Sequence, residues 1–464
     1  MQTVTDPNSG SGGDDAHVSA QVSYKPVLPF WRIAVMNAGF LGLQFSFGLQ
    51  QSNMTPIYAY LGASEVILPL LYLAGPVTGL IVQPIIGVLS DKTTSRWGRR
   101  TPYFLAGAIL CSLSLLAIPF SPVLWVAVAL LWVLDAANNL TQQPYRAYIS
   151  DRLNDEQRPV GFLMQSAFTG LGQTLSYLAP SVFVWLGMNK DALNANGIPL
   201  ITRVAFDIGA VLSVTTILWS IFSVRELPLT AREKQAIRKS AITLSSTLKD
   251  LWSAVIAMPR PMARMIPMMM FQWYAMFMYW QYIVVSLART FFKATDPLST
   301  GYRDAVLING QIGAFYNFIA FLVALVLMRL LRRHDIRKLH AACLVAAALS
   351  MFVMPHIHDK PLLFIAVIGV GLGWAGLMGN PFAMVAPHIP PERTGVYMGL
   401  INVLIVVPML LQSLTVPLYY HALLGGDARN AIAFAGLLML LGAAATFFIP
   451  ATRAARGNIE ARDV

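Results

Sequence analysis

Five polar side chains, Asp135, Asn138, Asn139, Gln142 and Arg146, interrupt one long apolar run of the sequence. Counted from Asp135, the offsets are 3, 4, 7 and 11 residues. At about 100° per residue, all five share one face of a helix. A carboxylate at mid-bilayer costs a few kcal/mol or more. Such a stripe therefore faces a protein interior or a wet cavity, not lipid, and reads as the wall of a solute pathway. Burial disfavours the charged form of a carboxyl, which suits a group that loads and releases a proton. The bland alternative is a structural carboxyl bonded to a neighbouring Asn or Gln. Arg146 stands roughly 16 Å further along, at 1.5 Å per residue, so the pair is not expected to touch. Its own bland alternative is a positive residue at the inner end of a helix. Pro144 frees a backbone carbonyl one turn back, which is tolerated where water or a neighbour reaches it.

The elements that hold this stripe are membrane helices. Of 464 residues, 56% are hydrophobic and 12% charged, too apolar for a soluble globular chain. Apolar runs of 18 or more residues recur. Twelve helices are expected, over 30–51, 67–89, 103–120, 123–148, 160–187, 203–223, 264–288, 306–330, 339–355, 361–386, 395–420 and 429–450. A net charge of +11 first suggests nucleic acid. The Lys and Arg residues, however, crowd alternate loops, and the positive-inside rule then puts both termini in the cytoplasm. Cys111 and Cys343 fall in separate predicted helices, with no disulfide framework and no companion for a metal. His356 and His358 are spaced for a metal but lack a third ligand. No nucleophile–base set and no phosphate-binding loop occurs, so no enzyme and no cofactor is expected.

The chain divides into a polar, disordered tail over 1–24, a six-helix bundle over 25–225, a basic cytoplasmic linker over 226–262, a second bundle over 263–450 and a tail over 451–464. Residues 230–233 read as a capping box opening an amphipathic linker helix near the headgroups. The halves repeat. Leu134–Ala147 aligns with Gly371–Met384, and the following loops end in Gly161 and Gly395. Two parallel halves of six helices are a transporter plan. Asp135 falls opposite Leu372 and Arg146 opposite Ala383. Proton chemistry is therefore expected in the first half, and uncharged contacts in the second.

A second motif lies between helices 2 and 3: Gly87 and Asp91, then Gly98, Arg99 and Arg100. An acid at a helix end beside a basic turn can clasp neighbouring helices and hold one conformation. This run resembles the signature loop of the major facilitator superfamily. Gly75–Pro84 through Arg99–Pro102 is similar to the sucrose transporters of plants and their bacterial relatives, within the glycoside–pentoside–hexuronide:cation symporters. Leu134–Arg146, Met258–Arg260, Gly399–Asn402 and Ile405–Pro408 extend the likeness over about residues 30–450. The resemblance implies an all-α major-facilitator fold and proton-coupled sugar import by alternating access. Asp135 is implied as the proton-coupling residue and Arg146 as a residue required for transport. The plant members carry an Asp-x-Asp-Trp motif with a following Arg-Glu in helix 7. Here Gln281–Thr290 lacks the acids, with Arg289 left as the candidate match, a departure that favours the bacterial branch.

A sugar offers hydroxyls at its edge and C–H groups on its faces, which suit amides and aromatic rings respectively. The candidate binding residues are Asn37 and Gln44 of helix 1, Asn138, Asn139 and Gln142 of helix 4, and Gln165 and Gln173 of helix 5. Trp273, Trp280 and Gln281 of helix 7, Asn317 of helix 8 and Asn402 of helix 11 complete the set. Each could instead serve interhelical bonding or an interfacial anchor. Together they favour an uncharged hydroxylated solute, with sucrose or maltose as the expected substrates. A single mid-membrane carboxylate favours protons over sodium. A monomer in a bacterial inner membrane is expected. Two other readings stand beside this one: an uncoupled facilitator or exporter of the same fold, and a transporter-like sugar sensor, which the short linker and tail disfavour.

Overall fold

The computed structural model describes residues 25–154, 156–230, 234–235, 237, 243–330, 334–385 and 394–450. The two expected tails and the capping box at 230–233 thus fall wholly or largely outside the described residues. The first half holds α1 (Phe30–Asn37), α2 (Gly39–Tyr60), α3 (Leu68–Leu71), α4 (Ala74–Lys92), α5 (Thr101–Ala117), α6 (Leu124–Arg152), α7 (Arg158–Trp185) and α8 (Leu200–Ser223). A connecting helix follows, α9 (Leu244–Ile256). The second half holds α10 (Arg260–Phe292), α11 (Thr300–Leu330), α12 (Ile336–Val353), α13 (Lys360–Val385), α14 (Thr394–Tyr419) and α15 (Ala428–Ala445).

Local chemistry explains the ends. Thr243 and Ser246 form a reciprocal capping box on α9. Asp335 and Asp427 accept from backbone N–H groups of the first turns of α12 and α15, satisfying donors that helix geometry leaves open. Several helices run beyond their expected bounds. α2 continues to Tyr60 rather than 51, and α10 covers Arg260–Phe292 rather than 264–288. The polar pair Ser52-Asn53 lies just past the expected end of the first helix at 51. In the helix, both side chains bond back to the carbonyls of Gly48 and Leu49, so they need no water.

Among the described residues, nine helices are long and apolar enough to cross a bilayer. The long helices outside that set are α1–α2, α7 and α10, which carry Gln44, Gln50, Gln165, Gln173, Gln272 and Gln281. The repeat seen in sequence is also a repeat of packing. In the first half α5 packs on α6, α4 on α6, α5 on α8 and α2 on both α7 and α8. In the second, α12 packs on α13, α11 on α13, α12 on α15 and α10 on both α14 and α15. The halves meet along α7 with α11 and along α4 with α14. We call the end that carries residues 25 and 450 the near end, and the opposite end the far end.

Candidate functional site

Asp135 lies midway along α6 and is 2% exposed; it is the one buried carboxylate among the described residues. Its Oδ1 accepts a 2.8 Å hydrogen bond from Nε2 of Gln50 on α2. Its Oδ2 has no partner among the described residues. A methyl group placed on Gly75 would lie 3.7 Å from Oδ2, so the bare backbone of α4 flanks that oxygen. No cation pairs with Asp135 among the described residues.

The amides beside it point to different neighbours. Asn138 accepts from Ser46 of α2 at 3.3 Å, and its Nδ2 is unpartnered. Asn139 donates to its own helix at the Asp135 carbonyl and to Thr78 of α4. It accepts from Nε2 of Gln83 at 2.6 Å. Gln83 in turn accepts from Gln143 at 2.8 Å and, across the bundles, from Asn402 of α14 at 3.1 Å. A relay of amides therefore runs from the turn after Asp135 to the second half. Gln142 is half-buried, and Arg146 is exposed with no hydrogen bond or ion pair among the described residues. Asp135 and Arg146 do not touch, as their spacing along the helix requires.

The other candidates fall into smaller groups. Gln173 of α7 donates to Gln44 of α2 at 3.1 Å. Gln281 of α10 accepts from Gln412 of α14 at 2.9 Å, leaving Nε2 of Gln281 and Oε1 of Gln412 unpaired. Gln165 is buried with its Nε2 also unpaired. Trp273 and Trp280 pack edge-on against Trp374 of α13, with ring centroids 6.1 and 5.4 Å apart. Trp280 also donates to the Tyr316 hydroxyl at 3.3 Å. Two candidates donate within their own helices: Asn37 to the Ile33 carbonyl, with its Oδ1 left unpaired among the described residues, and Asn317 to the Gly313 carbonyl.

At the near end Asp91, Arg99 and Arg100 form ion pairs. Asp91 meets Arg100 at 2.7 Å and Arg99 at 3.1 Å, and Arg100 also meets Asp151 of α6 at 3.0 Å. Gly98 has φ +116°, a left-handed conformation open chiefly to glycine. The sequence reading missed Glu226. Its carboxylate accepts from the backbone N–H groups of Arg99, Arg100 and Thr101 and from the Thr101 hydroxyl, capping α5. A methyl on Gly98 would sit 2.6 Å from its Oε1. Gly87 has open space around it, so packing in this conformation does not demand a glycine there.

At the far end the halves are tied together. Arg289 of α10 meets Glu65, in the α2–α3 connection, at 2.5 Å. Tyr420 donates to the same carboxylate at 2.6 Å, and Tyr282 to the Glu65 carbonyl at 3.0 Å. A second tie joins the α7–α8 connection to α11 through Lys190–Asp304 at 2.8 Å and Arg303–Asp191 at 2.7 Å. Between these ties Tyr177 of α7 lies on Gly310 and Gly313 of α11, too close for a Cβ at either. Charged loop residues look solvated in a sequence, which is why Glu65 was not singled out. His358 bonds the Thr290 carbonyl at 2.9 Å, and no metal-ligating cluster occurs among the described residues.

Residues 37–413 match the family model described as Major Facilitator Superfamily. Sucrose transport protein SUC4 of Arabidopsis thaliana is 26% identical over 461 residues, spanning 89% of this chain and 88% of that protein. Sucrose transport protein SUT2 of Oryza sativa subsp. indica is 26% identical over 487 residues, spanning 94% and 96%. Among solved structures, the nucleoside transporter NupG superposes with TM-score 0.67 at 15% identity, covering 89% of this chain and 98% of that one. A D-xylose-proton symporter superposes with TM-score 0.65 at 15% identity, covering 92% and 99%. The all-α fold, the repeated packing and the matched span agree: this multi-pass membrane protein is not an enzyme and belongs to the major facilitator superfamily.

Proposed function

We propose that this chain is a proton-coupled symporter that imports a glucoside, sucrose or maltose, by alternating access. The observation that carries the reading is Asp135: one buried carboxylate, without a cationic partner among the described residues, beside a relay of amides that crosses to the other half. A charge so placed is costly when ionised, so its ionisation is coupled to which side water reaches. Similarity to sucrose transport proteins supports a sugar as solute. Spare donors on Asn138, Gln165 and Gln281 and the indoles of Trp273 and Trp280 supply groups that would bind it. Twelve spans, with the near end in the cytoplasm of a bacterial cell, make the far-end ties an outer gate. With the far end tied shut, this reading makes the state inward-facing, and Arg146 is exposed.

The bond from Gln50 to Asp135 also favours a second reading, an uncoupled facilitator in which Asp135 is structural. Uptake of labelled sucrose and labelled maltose into proteoliposomes separates the two. An inward proton gradient drives accumulation by a symporter and leaves a facilitator at simple equilibration.

A further inference from the structure

Gln50 and Asp135 are joined by one hydrogen bond, and each keeps one buried oxygen with no partner among the described residues, Oε1 and Oδ2. Both residues are more than nine-tenths buried. Two neighbouring acceptors without a donor are an unfavourable arrangement in a dry interior. A proton on Oδ2 turns one of them into a donor. A carboxylic acid and a primary amide can then close a ring of two bonds, amide N–H to Oδ1 and carboxyl O–H to Oε1.

We propose that Gln50 is the positioning residue for the proton on Asp135, closing a second hydrogen bond when the carboxyl is loaded and losing it when the carboxyl is empty. The inference rests on the proton-coupling reading. The proton comes from water admitted to the cavity, forms the O–H bond at Oδ2 and returns to water on release; no other bond is made or broken. The charge of Asp135 acts on two titratable groups, Tyr58 of α2 and Tyr72 of the α3–α4 connection. From α4, Gly75 and Thr78 face this turn of α6, and Cys111 of α5 lies one contact away through Ser46. Five residues along from Gln50, Thr55 donates to the Gln281 carbonyl of α10 at 3.3 Å. The helix that reads the proton is therefore one that touches the other half.

Infrared difference spectra between acidic and alkaline pH, on protein in lipid with glutamine side-chain carbonyls ¹³C-labelled, test this. The Asp135 carboxyl band is identified by its loss in Asp135→Asn. The expected result is a labelled amide carbonyl band that moves to lower wavenumber on acidification and disappears from the difference spectrum in Asp135→Asn and in Gln50→Met. A carboxyl band from Asp135 without any labelled amide band overturns the pairing and leaves proton coupling intact. Absence of any Asp135 carboxyl band down to the pH at which the protein still transports overturns both. Where one variant folds poorly the other still tests the pairing, because the labelled amide band must be lost in each.

Discussion

Arg289 and Glu65 belong to opposite halves of the molecule, yet their charged groups stand 2.5 Å apart, and Tyr420 shares the same carboxylate. Both side chains are partly exposed, so solvent screens the pair and it holds the far end by a modest margin, about 1 kcal/mol. Glu65→Gln keeps an acceptor for Tyr420 and removes the charge. The expected outcome is a shift of roughly fivefold in the population open at the far end. Spin-label distances across that end measure it; an unchanged distribution would show that the pair holds nothing.

Gly310 offers a second handle on the same seam. A Cβ there would stand 2.4 Å from the Tyr177 carbonyl oxygen, and backbone cannot swing aside as a side chain can. Gly310→Ala is expected to separate α7 from α11 at a cost of about 1–3 kcal/mol. Far-end opening should increase, read as faster labelling of an engineered cysteine from the loop side.

At the near end, Gly98→Ala meets two obstacles: a positive φ and the Glu226 carboxylate 2.6 Å away. A loss of about 1–3 kcal/mol is expected, seen as a lower unfolding temperature in detergent. Glu226→Ala is expected to lower it similarly, because backbone donors of the turn entering α5 lose their acceptor. A Gly98→Ala protein as stable as wild type would refute the reading of this turn.

Asp427 caps α15 and pairs with Arg429 and Arg289. Burial opposes its charged form, but bonds from Arg429 and Arg289 outweigh that and hold its carboxyl at about 2. A carboxyl depressed in the folded state stabilises at pH above its unfolded value of about 3.9. That contribution fades as pH falls towards 2. The stability difference between wild type and Asp427→Asn is therefore expected to be constant from pH 5 to pH 8 and to shrink below about pH 4. A difference that varies within the neutral range would make this tie a pH sensor, contrary to expectation.

Much of this was legible in the sequence because polarity is costly in an apolar run. Asp135, Asn138 and Asn139 stood out for that reason, and so did the repeat of the halves. Their partners did not. Gln50 and Gln83 are amides among other amides, and which of them meets Asp135 or Asn139 is decided by how α2 and α4 cross α6. Glu65 and Glu226 sit in connections, where charge is cheap and carries no signal until the fold closes around it. Trp374 lies inside the aligned repeat opposite Ala137, where an aromatic in an apolar run gives no sign of its partners Trp273 and Trp280. Asn37 illustrates the converse: it stands among the expected sugar-binding amides, while its donor turns back to its own helix.

The most direct measurement is solute accumulation in proteoliposomes by wild type and by Asp135→Asn, with an inward proton gradient, alongside exchange of labelled for unlabelled solute without one. The expected result is accumulation by wild type alone, lost at least tenfold in Asp135→Asn, with exchange retained by both. Retained exchange shows a folded, solute-binding variant. Gradient-driven accumulation that survives Asp135→Asn would contradict the assignment of the coupling proton to Asp135.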